Sequence, residues 1–230
     1  MVQKSMSRAS FWGSLSFIVA FGAFDSGLHK ALAIQEVSNE VAEVIPRSAA
    51  EGSPEDRIHL FLNAVEAARE ISGEDLYRTR LAHLVPIVSG AFNMQAMSRA
   101  IVGRSVWRRW TVSEQNGFVT VMTEFLSATI AGRLEIEIDH PTEVIETVPG
   151  PGSSQIVRTL SMQNGDAIRV DYRVVRDEEH WAIVDIVADT KISEVARRRA
   201  EFLGIIQAQG HAGIIAAIEK KIMQLDQSDA

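Results

Sequence analysis

Apolar positions in the first half of the chain recur at helical spacing. Ser53 and Pro54 provide an N-cap and a first helical residue for one periodic run. A second periodic run starts at Leu76 and is expected to end at Pro86, because a proline cannot supply the helical N–H. Asn93 is placed to cap a short third helix.

The most regular helical pattern starts at Thr111. Thr111 and Glu114 have the spacing of a capping box, in which each side chain accepts a hydrogen bond from the backbone N–H of the other residue. Apolar residues then follow at intervals of three and four. They are Phe118, Val121, Met122, Phe125, Leu126 and Ile130. A long helix is predicted here.

The apolar period changes to two from Leu134 onwards. Residues 134–138 alternate with acids, and residues 144–148 are expected to continue the extended chain. Asn164-Gly165 is a strong hairpin signal between two alternating runs. The further alternating runs cover residues 156–162, 168–174 and 181–187.

The chain closes with two predicted helices. Ser193 is placed as an N-cap, and Gly210 follows the last apolar pair of the first of these helices. Helices, an antiparallel meander and again helices predict an α+β fold. In that fold, amphipathic helices cover one face of a curved antiparallel sheet of about four strands.

The N-terminal segment has the organisation of a secretory signal peptide. Lys4 and Arg8 form a basic region, residues 11–24 are apolar, and Ala31-Leu32-Ala33 is an A-x-A cleavage site. The expectation is a signal peptide over residues 1–33 and one exported, soluble domain over residues 34–230. An uncleaved membrane anchor is the alternative.

Composition excludes several classes of function. The chain has no Cys, which removes disulfides, thiolate catalysis and Cys-based metal sites. It carries 30 acidic and 23 basic residues, a net charge of −7. Such a surface repels DNA, so no nucleic-acid partner is expected.

The run IRVDYRVVRDEEHWAIVDIVADTKISEVARRRAEFLGII, residues 168–206, contains V-x-Y-x-V, W-x-I-x-D-I and R-x-x-F in order. This order resembles the C-terminal signature of the MlaC family of periplasmic phospholipid-binding proteins, toluene-tolerance auxiliary components of an ABC transporter. Upstream, VGRSVW at residues 102–107 and TVSE at residues 111–114 extend the resemblance to residues 55–225. No single motif is specific, but their order and spacing together are.

The chain departs from the family pattern at a few positions. One extra residue separates Gly103 from Trp107, Val112 replaces a proline, and Thr190 stands where glycine is usual. The spacing from Asp185 to residue 193 is closer to HpnM, the hopanoid-associated branch. The expected ligand is therefore a phospholipid or a hopanoid.

The resemblance implies a carrier that ferries lipid through the periplasm. Its implied partners are an inner-membrane ABC transporter with an MCE-domain ring and an outer-membrane lipoprotein complex. It also implies an apolar cavity enclosed by the sheet and helices, no cofactor and no enzymatic activity.

Thirteen apolar residues are candidates for lining this cavity, with ordinary core packing as the alternative for each. Trp107 and Tyr172 are favoured, because amphipathic rings suit a cavity mouth. The candidates are Phe92, Met97, Ile101, Trp107, Phe118, Met122, Phe125, Leu126, Val170, Tyr172, Trp181, Ile183 and Phe202.

Two arginine clusters, around Trp107 and at residues 197–199, could dock an acidic partner or a phosphate. Local ion pairs such as Glu194 with Arg198 are the favoured interpretation.

Two other functions stay open. The sequence has no HExxH or GxSxG motif, and no metal site is expected. The main enzymatic alternative is a small-cavity isomerase or hydratase that uses Asp171, Asp185 or Tyr172 for proton transfer. The other is a module that binds only proteins.

Overall fold

The computed structural model describes residues 52–134, 140–163, 165–177, 180–188 and 192–228. The predicted signal peptide lies outside these ranges, as do residues 135–138 of the alternating run predicted at residues 134–138. Within them, none of the helices combines the length and the apolar character needed to cross a membrane.

Along the described chain, five helices come before the strands of the sheet and one helix follows them. The helices are α1 (Pro54–Arg69), α2 (Leu76–Ala91), α3 (Met94–Val102), α4 (Arg104–Trp107), α5 (Val112–Ala131) and α6 (Glu194–Ser228). The strands are β1 (His140–Pro149), β2 (Gln155–Gln163), β3 (Asp166–Asp177), β4 (His180–Ala188) and β5 (Ile192–Ser193).

The predicted helix starts are confirmed by their hydrogen bonds. Ser53 caps α1 in a capping box with Asp56, and the Asn93 side chain accepts from the N–H of Ala96 at 2.8 Å. Thr111 and Glu114 form the predicted capping box of α5. These caps are local, so a few neighbouring residues specify them.

The predicted end of α2 at Pro86 is wrong. The helix continues through Pro86 to Ala91. A proline inside a helix removes one hydrogen bond and costs about 3 kcal/mol. The following residues Ile87, Val88 and Ala91 are completely buried, and burying their side chains offsets that cost.

Thr111→Ala is expected to lower the free energy of unfolding by about 1 kcal/mol, because it removes the N-cap of α5. The Thr111 hydroxyl accepts from the Glu114 N–H at 3.2 Å, and the Glu114 carboxylate accepts from the Thr111 N–H at 2.7 Å. Urea denaturation measures the change, with Ser113→Ala as the control in the same helical turn. Equal midpoints for the two variants would contradict a cap at Thr111.

The sheet is an antiparallel meander of five strands in the order β1-β2-β3-β4-β5. The sequence predicts about four strands, and the additional one is the two-residue β5, which pairs with Val187 and Ala188. Gln163 pairs with Asp166, which confirms the tight β2–β3 hairpin. A register shift between Arg173 and Val174 marks a bulge in the β3–β4 pair.

The two faces of the sheet differ in character. Val157, Val174 and Ile183 on the inner face are completely buried. On the outer face, Arg158 bonds Glu146 at 2.5 Å and also approaches Asp171. This division places the apolar core between the sheet and the helices.

The helices form two levels above the inner face. α1 packs on β1, β2 and β4, whereas α3 and α6 contact β4. α5 packs mainly against α2, α3 and α6. A non-helical residue, Gly210 with φ 67°, divides α6 where the sequence predicts a helix end.

Candidate functional site

The thirteen predicted site residues lie in or against one continuous apolar core cluster. Eleven of them are buried, with 7% or less of each residue exposed, while Val170 and Trp181 are partly buried. Trp107 and Tyr172 are among the buried residues, so neither ring has the wet edge expected of a cavity mouth. The ring contacts within the set form two groups.

The first group lies at the sheet. The Phe61 ring packs edge-on against Phe92 and Tyr172, with ring centroids 5.1 and 6.0 Å apart. Phe92 forms a parallel bridge with Ile183, and the Asn93 N–H donates to the Ile183 carbonyl at 2.9 Å. Phe61 is not among the thirteen residues predicted from the sequence, although its position on the buried stripe of α1 indicates a buried ring.

The second group lies among the helices. The Trp110 ring stands between Trp107 and Phe118, at centroid distances of 6.0 and 5.4 Å. The Phe125 ring of α5 meets Phe202 of α6 at 6.3 Å. α5 therefore contributes its candidates to the contact between helices.

The three residues of the enzymatic alternative do not form one acid–base site. Asp171 and Tyr172 are consecutive in β3 and point to opposite faces, with Asp171 bonded to Arg169 at 2.9 Å. Burial raises the pKa of the Tyr172 hydroxyl well above its usual value, which keeps it protonated at neutral pH. No group of three His, Asp or Glu residues in the described ranges could hold a metal ion.

Asp185, the third of these residues, connects the sheet to α6. Its carboxylate accepts from the Ser193 hydroxyl at 2.6 Å and from the Val195 and Ile186 N–H groups at 3.1 and 2.9 Å. Ser193 in turn accepts from the N–H of Ala196 at 3.0 Å. Asp185 thus holds the first turn of α6 against β4.

The predicted ion pair between Glu194 and Arg198 is confirmed at 2.6 Å. Arg198 also bonds Glu201 at 2.7 Å and stacks over the Phe125 ring. Burial opposes ionisation of Glu201, but hydrogen bonds from Lys221 and Arg198 outweigh it and lower its pKa. Local ion pairs therefore hold Arg197 and Arg198, while Arg199 donates to the Ala100 carbonyl. The arginines around Trp107, namely Arg104, Arg108 and Arg109, are exposed.

A cavity of about 610 Å³ opens beside the first group of aromatic rings. Polar atoms form most of its wall, and Phe92 and Trp181 are the candidate site residues that reach it. It is lined by Arg57, Ser89, Gly90, Phe92, Asn93, Met94, Gln95, Asn116, Val119, Thr123, Asp177, His180, Trp181 and Ala182.

Arg57 is an unpredicted member of this wall. It is 1% exposed, and its Nη1 donates to the Gly90 carbonyl at 3.4 Å. Burial lowers the pKa of its guanidinium. The sequence carried a signal, because Arg57 lies four residues before Phe61 on the buried stripe of α1.

Comparison with known proteins extends this description. Residues 59–220 match the family model described as MlaC protein. Among solved structures, the phospholipid-binding protein from Ralstonia solanacearum, in complex with a phospholipid, superposes with a TM-score of 0.62 at 18% identity. The match covers 76% of this chain and 99% of that one. No curated protein matches the sequence significantly.

Proposed function

This chain belongs to the MlaC family, and on that premise we propose that it is a lipid-binding carrier. The observation that carries the proposal is the family match across residues 59–220, which includes helices from both levels and the whole described sheet. The shared fold with a protein solved in complex with a phospholipid supports the same function.

The acyl chains would lie in the apolar cluster between the sheet and the helices. Both groups of candidate residues belong to that cluster, and its side chains are closely packed. A bound lipid would therefore move α1, α3 and α6 away from the sheet and replace part of their mutual contacts. Each buried methylene contributes about 0.8 kcal/mol, so two acyl chains provide ample affinity.

The proposed role is transport of a phospholipid, or of a hopanoid, through the periplasm. The partners in this role are an inner-membrane ABC transporter with an MCE-domain ring and an outer-membrane lipoprotein complex. Export would require the signal peptide of residues 1–33. N-terminal sequencing of exported protein should start at Ile34, and an intact Met1 would contradict cleavage.

Lipid extraction from the purified, exported protein tests the binding function. We expect mass spectrometry of the organic extract to detect about one lipid per chain, and the headgroup would separate phospholipid from hopanoid. An empty protein that converts a small carbonyl or hydroxy compound would support the enzymatic alternative. An empty and inert protein would support a protein-binding module.

A further inference from the structure

A buried arginine, Arg57, is among the residues that line the 610 Å³ cavity. Arg57 is 1% exposed, and its Nε and Nη2 atoms have no hydrogen-bond partner among the described residues. Its Nη1 reaches the carbonyl of Gly90, which lines the same cavity, at a long 3.4 Å. Arg57 is thus one of the residues that line the cavity, and its Nε and Nη2 atoms are themselves buried.

The other buried arginines make closer contacts within the protein. The Arg80 guanidinium donates to the carbonyl of Arg69 at 2.8 Å, at the end of α1. Arg198 pairs with both Glu194 and Glu201. Buried charges in proteins are normally paired in this way, because an uncompensated one is costly. Arg57 differs, since the described chain offers it one weak carbonyl contact.

The rest of the cavity has the character of a headgroup site. Gln95 and Asn116 bring amide groups that can donate hydrogen bonds to an anion. Asp177 lines the wall as well, and its carboxylate accepts from the Asn93 amide at 2.8 Å. One buried cation and one exposed acid favour a singly charged or zwitterionic group over a multiply charged anion.

Phe92 belongs both to the cavity wall and to the apolar cluster. Phe92 lines the cavity, and its ring packs edge-on against Phe61, which also contacts Tyr172. An amphiphile could therefore place its polar end beside Arg57 while its chains follow the aromatic rings toward the sheet.

We propose that this cavity binds the phosphate of the lipid, with Arg57 as its counter-ion. The proposal rests on the proposed lipid-binding function, since the acyl chains of the same molecule occupy the apolar cluster. Guanidinium groups bind phosphate oxygens through paired, charge-assisted hydrogen bonds, and two buried donor nitrogens of Arg57 lack a partner among the described residues.

The test compares two lipids that differ in the phosphate-containing headgroup. Phosphatidylglycerol and a diacylglycerol with the same acyl chains are titrated in detergent micelles against the delipidated protein. The reporter is intrinsic tryptophan fluorescence, to which Trp181 in the cavity wall contributes. We expect the wild type to bind the phospholipid at least about tenfold more tightly. Arg57→Met should abolish this preference and leave diacylglycerol binding unchanged, and Arg57→Lys should retain part of it.

Stability gives an independent measurement on the same variants. Arg57→Met removes an uncompensated buried charge, so the lipid-free variant should melt at a higher temperature than the wild type. A lower melting temperature would identify Arg57 as a structural residue and overturn the proposal.

A second variant leaves Arg57 in place. Ser89→Asp puts a carboxylate on the exposed Ser89 position next to Gly90 and should weaken phospholipid binding but not diacylglycerol binding. Gln207→Glu, exposed on α6, adds the same charge away from the cavity and should change neither. Equal effects of the two variants would mean that the change in net charge weakens binding, and would overturn the proposed phosphate site.

The wild-type results separate the two proposals. Binding of neither lipid would refute the phospholipid-binding function itself. Equally tight binding of both would leave that function intact and overturn the phosphate site. Inorganic phosphate is tested alone by its effect on the melting temperature. Stabilisation by it, without a preference between the lipids, would make this a site for a free anion and overturn the assignment to a lipid.

Discussion

Asp185→Ala should lower the free energy of unfolding by about 2–4 kcal/mol, because three hydrogen bonds end on this one carboxylate. Asp185 is 6% exposed, so water cannot readily replace the lost acceptor. The Val195 N–H is buried at the start of α6, where unpaired donors must otherwise be capped. Urea denaturation followed by far-ultraviolet circular dichroism measures the loss.

Two further variants are compared with Asp185→Ala. Asp185→Asn keeps one acceptor oxygen and should cost roughly half as much as the alanine variant. Asp166→Ala removes an exposed carboxylate at the start of β3 and should change the midpoint little. Similar midpoints for Asp185→Ala and Asp166→Ala would mean that the contact between β4 and α6 does not depend on this side chain.

Val170→Trp should reduce lipid binding at least about tenfold, because a large ring would fill space that an acyl chain needs. Val170 is only partly buried, and its direct neighbours across the strands are the small residues Thr159 and Ala188. We expect the lipid-free variant to lose less than about 1 kcal/mol, since a partly buried ring with small neighbours can turn toward solvent. Lipid titration and thermal melting of the same preparation measure the two effects.

The matched control is Met122→Trp on α5. Met122 is 4% exposed within the closely packed cluster, so enlarging it should overpack the core and cost about 1–3 kcal/mol. If Val170→Trp destabilised the lipid-free protein as much as Met122→Trp, Val170 would be plain core and the acyl chains would have to lie elsewhere.

The elements that could be predicted from sequence are those specified by neighbours along the chain. The capping box at Thr111, the cap at Asn93 and the tight β2–β3 hairpin each depend on a few consecutive residues. The end of α2 could not be predicted in this way. Pro86 signals a local stop, and burial of the residues after it outweighs that signal.

The site was harder to predict because it is assembled from distant segments. Phe61 becomes a site residue only where α1 crosses the sheet and its ring meets Phe92 and Tyr172. Arg57 breaks the apolar stripe of α1, and its meaning depends on a cavity formed by α2, α3, α5 and the β3–β4 end. An arginine at an apolar position was the one available signal.

The order of the strands also has a consequence for how the chain folds. Every strand pairs with its neighbour in sequence, so the sheet closes only short loops, whereas α1 must reach strands about a hundred positions further along. We expect the meander to form first and α1 to dock last. Pulsed hydrogen exchange should then protect β2 and β3 amides before those of α1. Docking of α1 would thus be the last step of folding. Undocking of the same helix would then open the interior for cargo.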